Sequence, residues 1–208
     1  MSKKWFIIST LGILLPVAAL LIWYAILPDD FRVGRELQKR GFDVIYDIYH
    51  RHPFFVVSES NITPEDSRLI CQLPRLETLF FTQCDMSGLN LDEIGSCREL
   101  SDVAFFGVTQ FPANEIRKLT VCPIRWITVV VSDMKDSDLE CFLGLTKLEY
   151  LELRDNIGIT DAGLEHLEKI PSLKILRLDN TSITPEGLKD FKKKRSDIEV
   201  SEGSPWGI

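Results

Sequence analysis

Apolar positions along the chain recur in one frame. Leu148, Leu151 and Leu153 lead to Asn156, and Leu173, Leu176 and Leu178 lead to Thr181. Toward the N-terminus the frame gives Ile124-Ile127-Val129-Ser132, Leu100-Val103-Phe105-Val108 and Leu76-Leu79-Phe81-Cys84, and a degenerate first copy, His52-Phe55-Val57-Ser60. The copies begin at 52, 76, 100, 124, 148 and 173, spaced by 24, 24, 24, 24 and 25 residues, with Gly158 as the added residue. A period held over so many intervals means a stack of similar units.

Within each unit the strict alternation around the paired apolar positions predicts a short strand buried on one face. A helix start follows it. In Thr63-Pro64-Glu65 and Thr184-Pro185-Glu186 the threonine can cap, proline suits the first helical position, and the acid faces the positive end of the dipole. Thr160-Asp161 has the same character without proline. Apolar pairs three apart come next (Leu91/Ile94, Ile116/Leu119, Leu139/Phe142, Leu164/Leu167, Leu188/Phe191), each predicting the buried stripe of a short helix. A strand-helix unit this small cannot bury its own apolar face. The expected fold is therefore α/β, a solenoid of about six repeats with a parallel sheet on its inner side.

The flanks divide the chain further. Trp5 to Leu27 holds no charged residue, a run of 23. About 20 such residues cross a bilayer core, whereas a cleavable signal usually has an apolar stretch of only about 7–15. Residues 1–28 are thus expected to be an uncleaved signal-anchor helix, with Trp5, Trp23 and Tyr24 near the interfaces. Lys3 and Lys4 point to a single-pass chain whose soluble part is extracytoplasmic, although Arg32, Arg35, Lys39 and Arg40 leave the Lys/Arg count balanced. Residues 29–51 predict a helix over Phe31–Arg40, a stop at Gly41 and a strand over Val44–Tyr49; residues 52–200 hold the repeats, and 201–208 read as a loose tail.

The stretch Ile159-Thr160-Asp161-Ala162-Gly163-Leu164-Glu165-His166-Leu167, with its echo at Ile183-Thr184 and Gly187-Leu188, resembles leucine-rich repeat proteins. The subtype is written I-T-D-x-G-L-x-x-L and is seen in ribonuclease-inhibitor-like folds and short membrane-anchored bacterial proteins. The resemblance covers roughly Pro53 to Val200 and implies that residues 29–51 cap the open N-terminal end of the core. In that family the terminal asparagine of each unit bonds turn backbone. Here the column reads Ser60, Cys84, Val108, Ser132, Asn156 and Thr181, so a distorted turn is expected at Val108.

Charge and chemistry narrow the function. With 24 Lys+Arg against 31 Asp+Glu the chain is acidic, the opposite of a nucleic-acid binder, and the basic run Lys189–Arg195 reads as a solvated last helix. His50, His52 and His166 have no metal-ligand spacing, and there is no phosphate loop or nucleophile-base grouping. His166 is expected to be exposed. Neither a cofactor nor catalysis is expected. Of the five cysteines, Cys97 and Cys122 fall nearly in register on adjacent repeats, within reach of a disulfide, while all five read by default as small buried hydrophobes.

What remains is the concave face of the sheet. Between the core positions lie three columns: Phe54, Thr78, Asp102, Trp126, Tyr150, Ile175; Val56, Phe80, Ala104, Thr128, Glu152, Arg177; and Ser58, Thr82, Phe106, Val130, Arg154, Asp179. Phe54, Phe80, Phe106, Trp126 and Val130 predict one exposed apolar patch, with Tyr150, Arg154 and Arg177 beside it. That mixture suits a protein partner. The expected function is a non-catalytic, membrane-tethered protein-interaction module binding through this face. The alternative is a self-associating structural envelope protein, in which the patch makes a homo-oligomer.

Overall fold

The computed structural model describes residues 29–46, 53–59, 61–73, 75–94 and 97–201, with side chains beginning at Arg32 and, in the second strand, given for Val56 and Ser58 alone. Among these residues eight strands form one sheet in chain order. They are β1 (Asp43–Tyr46), β2 (Pro53–Ser58), β3 (Thr78–Thr82), β4 (Asp102–Phe106), β5 (Trp126–Val130), β6 (Tyr150–Glu152), β7 (Ile175–Arg177) and β8 (Glu199–Ser201). β1 runs antiparallel to β2, and every later pair is parallel.

The repeat period becomes the register of the sheet. Thr78, Asp102, Trp126, Tyr150, Ile175 and Glu199 stand opposite one another in succession. On the face behind them Leu79, Phe81, Val103, Phe105, Ile127, Val129, Leu151, Leu153, Leu176 and Leu178 are buried in one continuous core. Each unit has its neighbours to cover it, as the spacing requires.

α1 (Asp29–Lys39) precedes β1, and Gly41 breaks away from it at φ 92°. Leu37, Phe42 and Val44 enter the same core, so the helix and antiparallel strand close its first edge. α2 (Pro64–Cys71) is held by a capping box between Thr63 and Asp66, and Arg40 reaches Asp66 at 3.1 Å, tying cap to first repeat.

The I-T-D motif has a physical origin in the contact between repeats. Thr160 and Thr184 cap α4 (Asp161–Leu167) and α5 (Pro185–Lys194), the hydroxyl of each accepting from a first-turn N–H. Each threonine also donates its own N–H and hydroxyl to a carboxylate one repeat earlier: Thr160 to Asp136 at 2.8 and 2.7 Å, Thr184 to Asp161 at 2.8 and 2.7 Å. That carboxylate lies against the glycine of the next unit. A Cβ on Gly163 would stand 2.5 Å from Asp136 Oδ1, and one on Gly187 would overlap Asp161. Glycine follows threonine at that interval because the neighbouring aspartate occupies the space.

Several expectations need correction. The first copy of the frame is displaced by one residue: Val56 pairs with Leu79 and is buried, and Ser58 pairs with Phe81 and is buried. Val56 and Ser58 therefore face the core and not the open face. Pro53–Ser58 is apolar at Phe54, Phe55, Val56 and Val57 in a row, so alternation could not choose its face, and a slip of one inverts the strand.

The middle repeats lack the expected α-helices. Ile116 and Leu119 fall on a short α3 (Ala113–Ile116) running into a 3-10 segment, Arg117–Val121, while Leu139 and Phe142 lie on a 3-10 segment, Asp136–Phe142. Residues three apart eclipse one another at three per turn, so a lone i,i+3 pair is satisfied by either helix. At the C-terminus β8 adds a strand where the repeats were expected to give way to a tail, and 202–208 lie outside the described residues. Arg195, the end of the basic run, donates to the carbonyls of Glu168 and Ile170 at 3.0 and 2.9 Å and so closes the preceding repeat. His166 is half-buried with Nδ1 enclosed, not exposed.

The irregular third turn is present. The ladder continues past each of β3 to β7 through a residue in the left-handed region: Gln83, Gly107, Val131, Asp155 and Asn180, with φ between 50° and 62°. Among the described residues the third turn alone has a further one, Gln110 at φ 56°. Val108 is buried and offers no polar group, and Asp133 instead accepts the N–H groups of Gln110 and Phe111, each at 3.0 Å. In the unit with asparagine, Asn156 is fully buried, accepts from the Ser132 N–H at 3.1 Å and donates to the Val129 and Arg154 carbonyls at 2.8 and 3.0 Å.

Candidate partner-binding surface

Among the described residues no helix packs on the sheet face turned away from the core, and its side chains come from the positions between buried residues. Trp126 is 49% exposed, more open than the other aromatics of that face among the described residues. Phe80, Phe106, Tyr150, Arg154 and Arg177 are half-buried. Val130 is buried, against expectation, at 7% exposure. It stands in register with Phe106 at the ends of β4 and β5. Phe54 lies in a part of β2 whose side chains are outside the described residues.

The aromatics make two groups and not one patch. Phe80 and Phe106 stack with centroids 5.8 Å apart and planes at 12°. Trp126 and Tyr150 stack at 4.7 Å and 16°. Trp126 is opposite Asp102, while Phe106, four positions along the same strand, is opposite Val130. At about 3.3 Å per residue that offset sets Phe106 about 13 Å from Trp126 along the strands, while Phe80, opposite Ala104, is about 7 Å along. Between them, at the middle position, are the short side chains of Ala104 and Thr128.

Tyr150 is positioned by charge. Its hydroxyl donates to Glu152 at 3.1 Å, Arg154 pairs with the same carboxylate at 3.2 Å, and Arg177, which also interacts with the tyrosine, pairs with Glu199 at 3.2 Å. Burial, and then Glu152, push the phenol upward from its ordinary pKa, so it keeps its proton and its role as donor at neutral pH. The Nε atoms of Arg154 and Arg177 are enclosed without a hydrogen bond. Such a network orients the tyrosine, and through it the indole stacked on it.

At the N-terminal ends of these strands Glu149 accepts from both Arg125 at 2.8 Å and Lys174 at 2.9 Å. Sequence reasoning passed over Asp102, Trp126's neighbour in register, although the column that contains it was legible. It also missed two exposed apolar residues beyond the strands, Val131 at 56% and Ile157 at 79%, because neither falls in one of the three strand columns.

Among the described residues no group of three or more His, Cys, Asp or Glu side chains could hold a metal ion. All five cysteines are free and buried, Cys97 and Cys122 included. The thiols of Cys97 and Cys122 lie 3.5 and 3.6 Å from the carbonyls of Ile70 and Ile94, one repeat earlier in each case.

No protein-family model and no curated protein matches the chain. Among solved structures it is similar to a leucine-rich repeat protein of Leptospira interrogans, with 16% identity and a TM-score of 0.44 over 64% of this chain and 38% of that one. It is also similar to a plant ice-binding protein, with 15% identity and a TM-score of 0.41 over 71% of this chain and 49% of the other. A protein from Bacteroides fragilis matches at 14% identity and a TM-score of 0.25, over 66% and 68%. The chain spans less than half the length of the first two.

Proposed function

We propose that this chain is a non-catalytic protein-interaction module, tethered to a membrane through residues 5–27 with its repeats on the extracytoplasmic side, and that it binds a protein partner through the helix-free face of the sheet. The observation that carries the reading is Trp126: a large aromatic left 49% exposed in the middle of a sheet face, braced by Tyr150 and a charged network instead of being packed away. Exposed tryptophan flanked by arginine is the composition of interface centres. The anchor segment lies outside the described residues, and among those described no helix is long and apolar enough to cross a membrane.

The test places a photoreactive phenylalanine analogue at position 126 of the full-length chain in its host membrane, and another at Lys169, an exposed residue just beyond α4. A discrete heteromeric adduct from position 126 and none from 169 is expected. A product of twice the chain mass from 126 would favour the self-associating alternative. Equal adducts from both positions would remove the sheet face from the proposal.

A further inference from the structure

Trp126 has two faces, and among the described residues one of them carries an aromatic stack. Tyr150 covers the first at 4.7 Å. On the other side its neighbour in register is Asp102, whose side chain is far shorter than an indole, and Trp126 is left 49% exposed. Asp102 is half-buried and accepts from the Ser101 hydroxyl.

The charges around this place are unequally committed. Arg125 hydrogen bonds to Glu149 and also lies within electrostatic range of Asp102; Lys174 shares Glu149; Arg154 is held by Glu152 and Arg177 by Glu199. Every cation of the neighbourhood thus has a carboxylate in contact. Among the described residues around this place Asp102, Glu149, Glu152, Asp179 and Glu199 stand against Arg125, Arg154, Lys174 and Arg177, on a chain of net charge −7. A partner arriving here meets acid surplus and an exposed indole.

We propose that Trp126 and Asp102 receive a cationic side chain, arginine or lysine, from the protein partner. The cation lies over the face of the indole opposite Tyr150, where the quadrupole attracts it, and Asp102 beneath supplies the counter-charge. Tryptophan is the strongest aromatic partner for a cation, and the Tyr150 stack holds the ring in place before binding, which reduces the ordering cost. The surplus of acid steers a basic partner toward the face and repels an acidic one. This inference rests on the partner-binding reading above and specifies the chemistry of the partner.

The test uses the full chain in detergent micelles, labelled with 5-fluorotryptophan, with the Trp126 resonance among the four tryptophans identified by its loss in Trp126→Phe. The probe is a blocked peptide of alternating glycine and arginine, with glutamate and norleucine versions as controls. The arginine peptide is expected to shift the Trp126 resonance, with apparent affinity falling as salt is raised and about tenfold weaker in Asp102→Asn, while neither control peptide shifts it. Asn keeps the acceptor for Ser101, and the wild-type comparison of arginine with norleucine stands even if that variant folds poorly. Equal response to norleucine would overturn the cation receptor and leave the binding face intact. No response at Trp126 to the arginine peptide, or undiminished binding by Asp102→Asn, would also overturn it.

Discussion

Val131 is the residue most at odds with its backbone. It occupies the left-handed position that follows β5, at φ 53°, where the other repeats place Gln83, Gly107, Asp155 and Asn180. A left-handed backbone costs an L-residue roughly 1–2 kcal/mol, and a β-branched side chain is among the least suited to it, whereas asparagine adopts it readily. Val131 is also 56% exposed, so little packing is lost with it. Val131→Asn is expected to stabilise the fold by about 1 kcal/mol, raising the thermal midpoint by about 2–4 °C for a chain of this size. An unchanged or lower midpoint would show that the valine is held by contacts that compensate. The buried thiols carry a second prediction at this scale. Burial pushes Cys71, Cys84 and Cys122 up to about 11 from 9.0, and Cys141 is pushed up further. The folded chain keeps these protons while the unfolded chain begins to lose them near pH 9. Their contribution to stability is complete below pH 9 and is lost as pH rises through about 11. Thermal midpoints are expected to drop across that window, and a thiol reagent at pH 8 should react slowly with the folded chain yet find all five thiols in denaturant.

At the scale of the element, the link between successive units is a threonine, an aspartate one repeat earlier and the glycine beside that aspartate. Gly187→Ala places a methyl group in the space of the Asp161 carboxylate. Such overpacking typically costs about 1–3 kcal/mol. Asp161→Ala alone loses both bonds to Thr184 but removes the obstruction. The double variant is therefore expected to be less destabilised than the sum of the singles, with a coupling of about 0.5–3 kcal/mol in denaturant titrations. Additive behaviour would mean that the glycine is required for another reason. The same elements show how far local pattern reaches. Thr63, Thr160 and Thr184 start their helices where the capping signals stand, because a cap is a contact between residues two or three apart. The choice between α and 3-10 geometry at Asp136–Phe142 was not legible, because a single apolar pair three apart fits both.

For the whole molecule the order of strands follows the order of units, and the core runs without interruption from Leu37 in the cap to Ile198 beyond the last helix. The proposed tether makes a prediction at this scale. Alkaline carbonate extraction of membranes is expected to leave the full-length chain in the pellet, and Edman sequencing of that material should begin at or near Met1. Release into the supernatant, or an N-terminus beyond Leu27, would remove the anchor. The candidate surface was legible only in part. The columns of β3 to β7 set Phe80, Phe106, Trp126, Tyr150 and Arg177 between buried positions, and the register keeps them there, while Arg154 lies just past the end of β6. That the aromatics divide into two stacks, and that Val130 is covered, depends on which residues stand opposite across the sheet.

The sequence by itself determined the repeat, the buried columns from Leu76 to Leu178 and the caps, since each is a relation within one unit or a period shared by all of them. The tertiary structure decided the face of Pro53–Ser58, the extra strand Glu199–Ser201 and the pairing of Trp126 with Tyr150 above Asp102. In those places the local pattern is uniformly apolar, too short, or indifferent to register. Only hydrogen bonding to a neighbouring strand selects one arrangement, because a slip of a single residue exchanges the buried face for the open one.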